Sequence, residues 1–468
     1  MPVPGTEFRV RNFGPFEFVE FEVFPLTVFV GRNSVGKSFL LYLLWTLEVT
    51  APDPWLWISR ARELGIYDLS RRAYEKVLRY VSPVDEVYGI AKILIEAFPH
   101  AYARALAQGL RACFGSDLHL LVKRGSHKAV IEVTSEFATL DITIEDGSVY
   151  AEWRRLDVYS LLERMLEVSI HGGPTLVLKV NGSTYKTYVR DHSDIVAKVH
   201  ESVYASILVR LLGFVPGLSV SLLVDGRAGL LRILPYRTWL LGPHVRELMY
   251  TDLHFMDTLS SLSIKYASGA VELENPIVRD LFKELGAEPV LRTEIGVPRI
   301  YIRTWTGIEL PLERAPSGIR EVVPVLLALL DRELPALYLE EPEAHLHPRA
   351  QKHLVRLMVY AINRGLKFSI LMSTHSPYVV YTLSNLIAMH KLPDEDVAKL
   401  GHDPGEKLRP EYVKLYLVTA EECTAKLKEL EVTEEGIDES ALTEVAEELA
   451  EERALIYEQL TAKEKNST

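Results

Sequence analysis

Leu26-Thr-Val-Phe-Val-Gly31-Arg-Asn-Ser-Val-Gly36-Lys-Ser-Phe39 decides how the chain folds. An apolar run, a strand by composition, ends at Gly31. Arg32, Asn33, Ser34 and Val35 separate it from Gly36, Lys37 and Ser38. An apolar helical pattern, Phe39-Leu-Leu-Tyr-Leu-Leu44, follows. The spacing is GxxxxGKS, with the strand before it and the helix after it that a phosphate-cradling loop requires. The glycines let backbone N–H groups wrap a polyphosphate without Cβ clashes, and the helix N-terminus adds partial positive charge. Lys37 supplies a point charge for the β- and γ-phosphates, and the Ser38 hydroxyl can ligate Mg2+. A Gly-rich strand–helix turn that binds nothing is the bland alternative, and the complete pattern with both flanks disfavours it.

A second apolar strand, Ala336-Leu-Tyr-Leu-Glu-Glu341, ends in two carboxylates before Pro342-Glu-Ala-His-Leu-His-Pro348. Stopping beside the phosphate loop, it would bring Glu340 to the metal and Glu341 to the γ-phosphate, where a carboxylate can polarise water. Alone, such a strand end is as readily a solvated acidic turn. Upstream, Ala315-Pro-Ser-Gly-Ile-Arg320 opens an apolar helix, and Ser317 and Gly318 would present free N–H groups at its start. Downstream, Phe368-Ser-Ile-Leu-Met-Ser-Thr-His-Ser-Pro377 reads as a buried strand ending at His375, a candidate γ-phosphate contact.

Working outward, Phe8–Phe13 and Phe16–Val23 largely alternate apolar and polar residues, the pattern of strands. Residues 59–215 read as an inserted region. It is helical to about 112 with an interruption at Pro99, then period-two at Leu118–Lys123, Ala129–Thr134, Leu140–Ile144 and Val149–Trp153, with a hairpin at Asn181-Gly182. No catalytic motif appears in it. The stretch Leu218–Val224 reads as another buried strand, running into Asp225-Gly-Arg-Ala-Gly229. Residues after 417 are rich in glutamate and read as a solvated helical tail, with partner docking the lesser reading. The expected organisation is an α/β fold: 1–58 and 216–400 as two parts of one head with a mixed sheet and antiparallel N-terminal strands, 59–215 as an α+β insertion, and 401–468 as an acidic helical tail.

The 468 residues carry a formal net charge of −12, which argues against wholesale wrapping of nucleic acid but leaves room for a local basic patch. Arg72, Lys76 and Arg79 would share one helix face, a pattern more often solvated than nucleic-acid binding. Two distant cysteines, Cys113 and Cys423, imply no disulfide framework and suit a reducing cytoplasm. The N-terminus lacks a signal-peptide pattern, and no apolar run is long enough to span a bilayer, so no membrane partner is expected.

The order of phosphate loop, long insertion, Ser-Gly helix, acidic strand and His strand resembles the ABC class of P-loop ATPases. It is most similar to the branch shared with SMC, RecF and OLD proteins. Three stretches carry the resemblance: Phe8–Ser38, Ser317–Pro348 with its Glu-Glu-Pro-Glu-Ala-His-Leu-His-Pro run, and Ser373–Pro377. The resemblance implies an ATP- and Mg2+-dependent ATPase. Gly31–Phe39 would cradle ATP, Ser38 and Glu340 hold the metal, Glu341 act as general base and His375 as switch histidine. Ser317 and Gly318 would be the signature motif, which reaches ATP held by a second copy, and Ala344–Pro348 the loop that crosses the dimer interface. An ATP-gated homodimer follows, acting in DNA repair or in defence against mobile elements with a separate nuclease or other effector; DNA is a candidate partner.

The chain departs from the pattern in Ser34 for a loop glycine, Glu340 for the commoner Asp, Pro316-Ser-Gly-Ile-Arg320 for the usual signature, and the absence of a glutamine at the metal-contacting loop. Neither coiled-coil arms nor an OLD-type Toprim nuclease domain is expected from the sequence. The competing readings are the ATP-binding subunit of a membrane transporter, which the weak signature motif and large insertion disfavour, and a DNA-binding scaffold with a vestigial ATPase.

Overall fold

A computed structural model describes residues 5–218, 220–234, 248–271, 273–294, 297–439 and 448–458. Along the chain the main strands are β1 (Thr6–Phe13), β2 (Phe16–Val23), β3 (Leu26–Gly31), β4 (Lys128–Thr134), β5 (Ala138–Glu145), β6 (Ser148–Leu156), β7 (Leu166–His171), β8 (Thr175–Val180), β9 (Ser183–Tyr188), β10 (Ser221–Leu223), β11 (Ala287–Glu294), β12 (Val297–Thr304), β13 (Glu309–Pro311), β14 (Ala336–Glu340), β15 (Ser369–Thr374), β16 (Val413–Glu421) and β17 (Thr424–Leu430).

Eleven of them form one mixed sheet in the order β10-β14-β15-β3-β16-β17-β2-β1-β4-β5-β6. The first five are parallel. They read as unbroken apolar runs because both faces are covered: Val28, Phe29 and Val30 of β3, Leu337 and Leu339 of β14, and Ile370 and Leu371 of β15 are at most 1% exposed. Register pairs Leu223 with Leu339, Glu340 with Ser373 and Thr374 with Val30, so the carboxyl ends of four strands line up along one edge. Ligands of open α/β sheets bind beyond such ends. The phosphate-loop helix Lys37–Val49 starts there and buries Leu40, Leu41, Leu43, Leu44 and Trp45.

Four sequence expectations need correction. The tail is not wholly helical: β16 and β17 form a hairpin, and β16 pairs in parallel with β3 from Val413–Leu26 to Val418–Gly31. Val413, Leu415, Tyr416 and Val418 are buried; the glutamates surrounding them mask this strand pattern. Among the described residues of the expected tail, only 448–458 are α-helical. The head therefore does not end at 400. Second, β4, β5 and β6, placed in the insertion, continue the head sheet through β1.

Third, Leu118–Lys123 is no strand. Leu118–Leu121 is a single 3-10 turn whose buried residues, Leu118 and Leu121, lie three apart rather than two. Its exit is pinned by hydrogen bonds from Gly14 N to Leu121 O (2.7 Å) and from Lys123 N to Asn12 O (2.8 Å). Nor does Pro99 interrupt its helix, which runs unbroken from Val84 to Phe114. A proline deprives the carbonyl four residues earlier of its donor. Here Trp153 Nε1 donates to that carbonyl, Ile95 O, at 2.8 Å.

Candidate nucleotide-binding site

The loop between β3 and its helix is shaped by two glycines at left-handed φ. At Gly31 (φ 154°) a Cβ would lie 2.3 Å from Val418 O, and at Gly36 (φ 106°) one would lie 2.8 Å from Pro15 Cγ. Ser34, where a glycine was expected, also has a left-handed φ of 63°. Val35 is buried and anchors the loop, while Arg32, Asn33 and Ser34 are exposed. The helix Lys37–Val49 has no side-chain cap and no acidic residue in its first turn, so its amino end is free for an anion. Lys37 is buried, and its Nζ donates to Gly31 O (2.9 Å) and Arg32 O (2.8 Å). Burial lowers its pKa, and the opposing pull of Glu341, Glu343 and Glu340 limits the fall.

The end of β14 lies against this loop. The Ser38 hydroxyl donates to Glu340 Oε1. Glu340 Oε2 accepts from Tyr42 Oη at 2.7 Å and from Asp225 N at 3.0 Å. Burial and the neighbouring carboxylate push the Tyr42 phenol well above its ordinary value, so it stays a donor. Glu341 takes a left-handed φ of 41°, which turns the chain out of the strand. Its Oε2 lies 3.2 Å from His375 Nδ1 at the end of β15.

Arg227 holds this corner from beneath. It is fully buried, with Nη1 donating to Glu340 O (2.8 Å) and Val224 O (2.7 Å), Nη2 to Glu341 O (2.9 Å) and Nε to Glu321 O (3.0 Å). Glu321 Oε2, 3.1 Å from Nε, balances its charge.

A cleft of about 890 Å3 opens over these groups. Asn33, Ser34, Gly36, Lys37, Ser38 and Phe39 form one wall, with Asp225, Glu340 and Glu341 at its end. His119 and Leu120 of the unexpected turn, with Val122 and Arg124 after it, form a further lip of the cleft. Among the sequence-predicted residues, the loop and both carboxylates therefore come together. His375 joins through Glu341, whereas Ser317 and Gly318 do not line this cleft. Sequence reading missed Tyr42, the Asp225 amide and the 119–124 lip. Tyr42 had a signal, being four residues after Ser38 and so on the same helix face. The basic face expected at Arg72, Lys76 and Arg79 has Lys76 paired with Glu86 at 2.7 Å.

Residues 305–380 match the model of a family described as an AAA domain, putative AbiEii toxin, type IV toxin–antitoxin system. That segment holds β14, β15, Ser317, both carboxylates and His375. The fold is a mixed α/β sheet with a phosphate-loop helix at the carboxyl ends of its parallel strands. Among solved structures, the chain resembles an SMC head bound to the C-terminal winged-helix domain of ScpA (TM-score 0.42, 11% identity, 92% of this chain and 98% of that one). It also resembles the Thermotoga maritima SMC head domain (TM-score 0.35, 13% identity, 92% and 100%). A third likeness is the Pyrococcus furiosus SMC head with an extended coiled coil bound to the C-terminal domain of ScpA (0.42, 10%, 96% and 100%). All three likenesses are distant. No curated protein matches the chain. Among the described residues, no helix is long and apolar enough to cross a membrane.

Proposed function

We propose that the chain binds and hydrolyses Mg·ATP as a cytoplasmic, ATP-gated homodimeric switch, acting in DNA repair or in defence against mobile elements with a separate effector protein. One observation carries the reading: Lys37, Ser38, Glu340 and Glu341 converge on a single cleft at the carboxyl ends of parallel strands. The family description, with its toxin–antitoxin association, supports the defence branch.

The loop N–H groups and the helix end bind the phosphates. Lys37 Nζ, held on its own loop carbonyls, is placed to turn to the β- and γ-phosphates. Ser38 Oγ and the Glu340 carboxylate are hard oxygen donors already in contact, a set that suits Mg2+. Bound there, the cation would screen phosphate charge. Glu341 extends past the strand end into the cleft and is the group to orient water and accept its proton at a carboxylate oxygen. His375 Nδ1 fixes that carboxylate's orientation. The exposed Ser317, away from this cleft, supports a role toward nucleotide held by a second copy.

The test is light scattering after size exclusion, with and without Mg·ATP, combined with steady-state turnover. Glu341→Gln is expected to bind ATP, to lose about 10^2- to 10^4-fold in kcat and to trap a dimer. Lys37→Ala is expected to lose binding, and Ser317→Arg to bind ATP yet stay monomeric. Wild-type turnover in Glu341→Gln would remove the general-base assignment. Dimerisation of Ser317→Arg would remove the two-copy model.

A further inference from the structure

The loop that leaves the acidic strand is strained at both ends. Glu341 (φ 41°) and His345 (φ 59°) are non-glycine residues in the left-handed region, where surrounding structure must hold them. The outer side of the loop lies against the start of the Ser317–Leu330 helix, so closely that a Cβ on Gly318 would stand 2.8 Å from His345 O. On its inner side Gln351 holds the end of the loop. Gln351, on the helix Pro348–Asn363, donates from Nε2 to Leu346 O at 3.0 Å.

The same amide then reaches the other strand end. Gln351 Oε1 accepts from Ser376 Oγ at 2.5 Å. Ser376, next to His375, donates its backbone N–H to Thr374 Oγ1 at 3.0 Å, and Thr374 Oγ1 donates to Glu343 Oε1. Ser376, Gln351, Thr374 and Glu343 are all buried. In this low-dielectric setting the bonds are strong and losing one partner is costly. The result is a closed ring of buried bonds: the 344–348 loop, Gln351, Ser376, Thr374, Glu343 and back to the loop.

We propose that Gln351 and Ser376 are positioning residues that tie the 344–348 loop to the Glu341–His375 pair. A displacement of the loop by a second copy would then be felt at the carboxylate that faces water, because Gln351 holds the loop and the residue after His375 with the two ends of one amide. Gln351 contacts neither nucleotide wall, so it acts on geometry alone. In its effect on turnover the link rests on the ATPase reading; as a mechanical link it does not.

Two measurements on the full chain test it. In the first, backbone amide exchange is followed by mass spectrometry, without nucleotide, over 341–347 and 373–378. Gln351→Leu and Ser376→Ala are expected to raise exchange in both segments, and Ser376→Thr, which keeps the hydroxyl, in neither. Faster exchange confined to 341–347 in Gln351→Leu would overturn the link, whether or not the chain hydrolyses ATP. In the second, Gln351→Leu and Ser376→Ala are expected to lower kcat about 10- to 100-fold with KM for ATP within about twofold, and Ser376→Thr to restore it. Leu354→Ala, a buried change on the same helix outside the ring, controls for loss of stability and is expected to lower Tm without that loss of kcat. Unchanged kcat in Gln351→Leu beside an active wild type would overturn the positioning role. An inactive wild type would instead count against the ATPase reading and leave the exchange result to decide the link.

Discussion

At the scale of residues, Arg227 shows how a side chain that touches no ligand can set a site. Its guanidinium gathers the carbonyls of Val224, Glu340 and Glu341 with Glu321, joining three segments up to 114 positions apart in sequence. Arg227→Met leaves Glu321 as a buried carboxylate without its partner. The expected loss is about 3–5 kcal/mol in chemical denaturation. Arg227→Met/Glu321→Leu should recover part of that stability, because no lone buried charge remains, while turnover stays low because nothing holds the Glu340 and Glu341 carbonyls. Full recovery of turnover in the double variant would show that Arg227 serves stability alone. The sequence made the meeting of Lys37, Ser38, Glu340 and Glu341 legible because the loop spacing and the apolar strand runs are local patterns. It left Arg227 only as part of the Asp225–Gly229 stretch after a buried strand, because its partners are backbone carbonyls that only the fold assembles.

At the scale of elements, legibility followed periodicity. The β8–β9 hairpin was readable at Asn181-Gly182, where φ is positive at both residues, and β14 and β15 were readable as buried runs. The 3-10 turn at Leu118–Leu121 was not, since four residues cannot distinguish a spacing of three from a spacing of two. Another short element carries a titratable tie. Glu406, in the 3-10 turn Pro404–Glu406, is fully buried against the helix Pro348–Asn363, with Arg356 donating to it at 2.6 and 2.9 Å and His402 Nδ1 at 2.6 Å. Burial alone would push its carboxyl up; the bonds from His402 and Arg356 outweigh that and hold it at about 2, below the ordinary 4.5. A carboxyl depressed on folding stabilises fully above its unfolded pKa and loses that contribution as pH falls through the folded one. Wild-type Tm should therefore drop more steeply than that of Glu406→Gln between pH 5 and pH 2, and Glu406→Gln should be the less stable at pH 7. Parallel curves would place the acid sensitivity elsewhere.

At the scale of the whole molecule, the chain closes on itself through its last strands. The phosphate-loop strand β3 lies between β15 and β16, and β17 meets β2, so the β16–β17 hairpin joins the parallel half of the sheet to the antiparallel half. Tyr416 reinforces the join: its hydroxyl accepts from Glu22 N at 2.9 Å and donates to Glu22 O at 3.0 Å, and its ring stacks on Phe29 at 5.9 Å. Composition hid this role, because the glutamates of 421–452 dominate the reading of a segment that contains the core strand β16. The two ends of that segment should thus behave differently. Ending the chain after Glu439 keeps every described strand pairing and should leave a soluble chain that melts cooperatively and binds ATP. Ending it after Tyr412 removes β16 and β17, bares one edge of β3 and exposes Phe29. A bare, flat, apolar edge is an aggregation site. The shorter chain should therefore be recovered insoluble or as a non-cooperative melt, with no nucleotide binding. A soluble, ATP-binding chain ending at Tyr412 would mean that the parallel half folds without its neighbour, and that the segment is dispensable in function even though it is a core strand in structure.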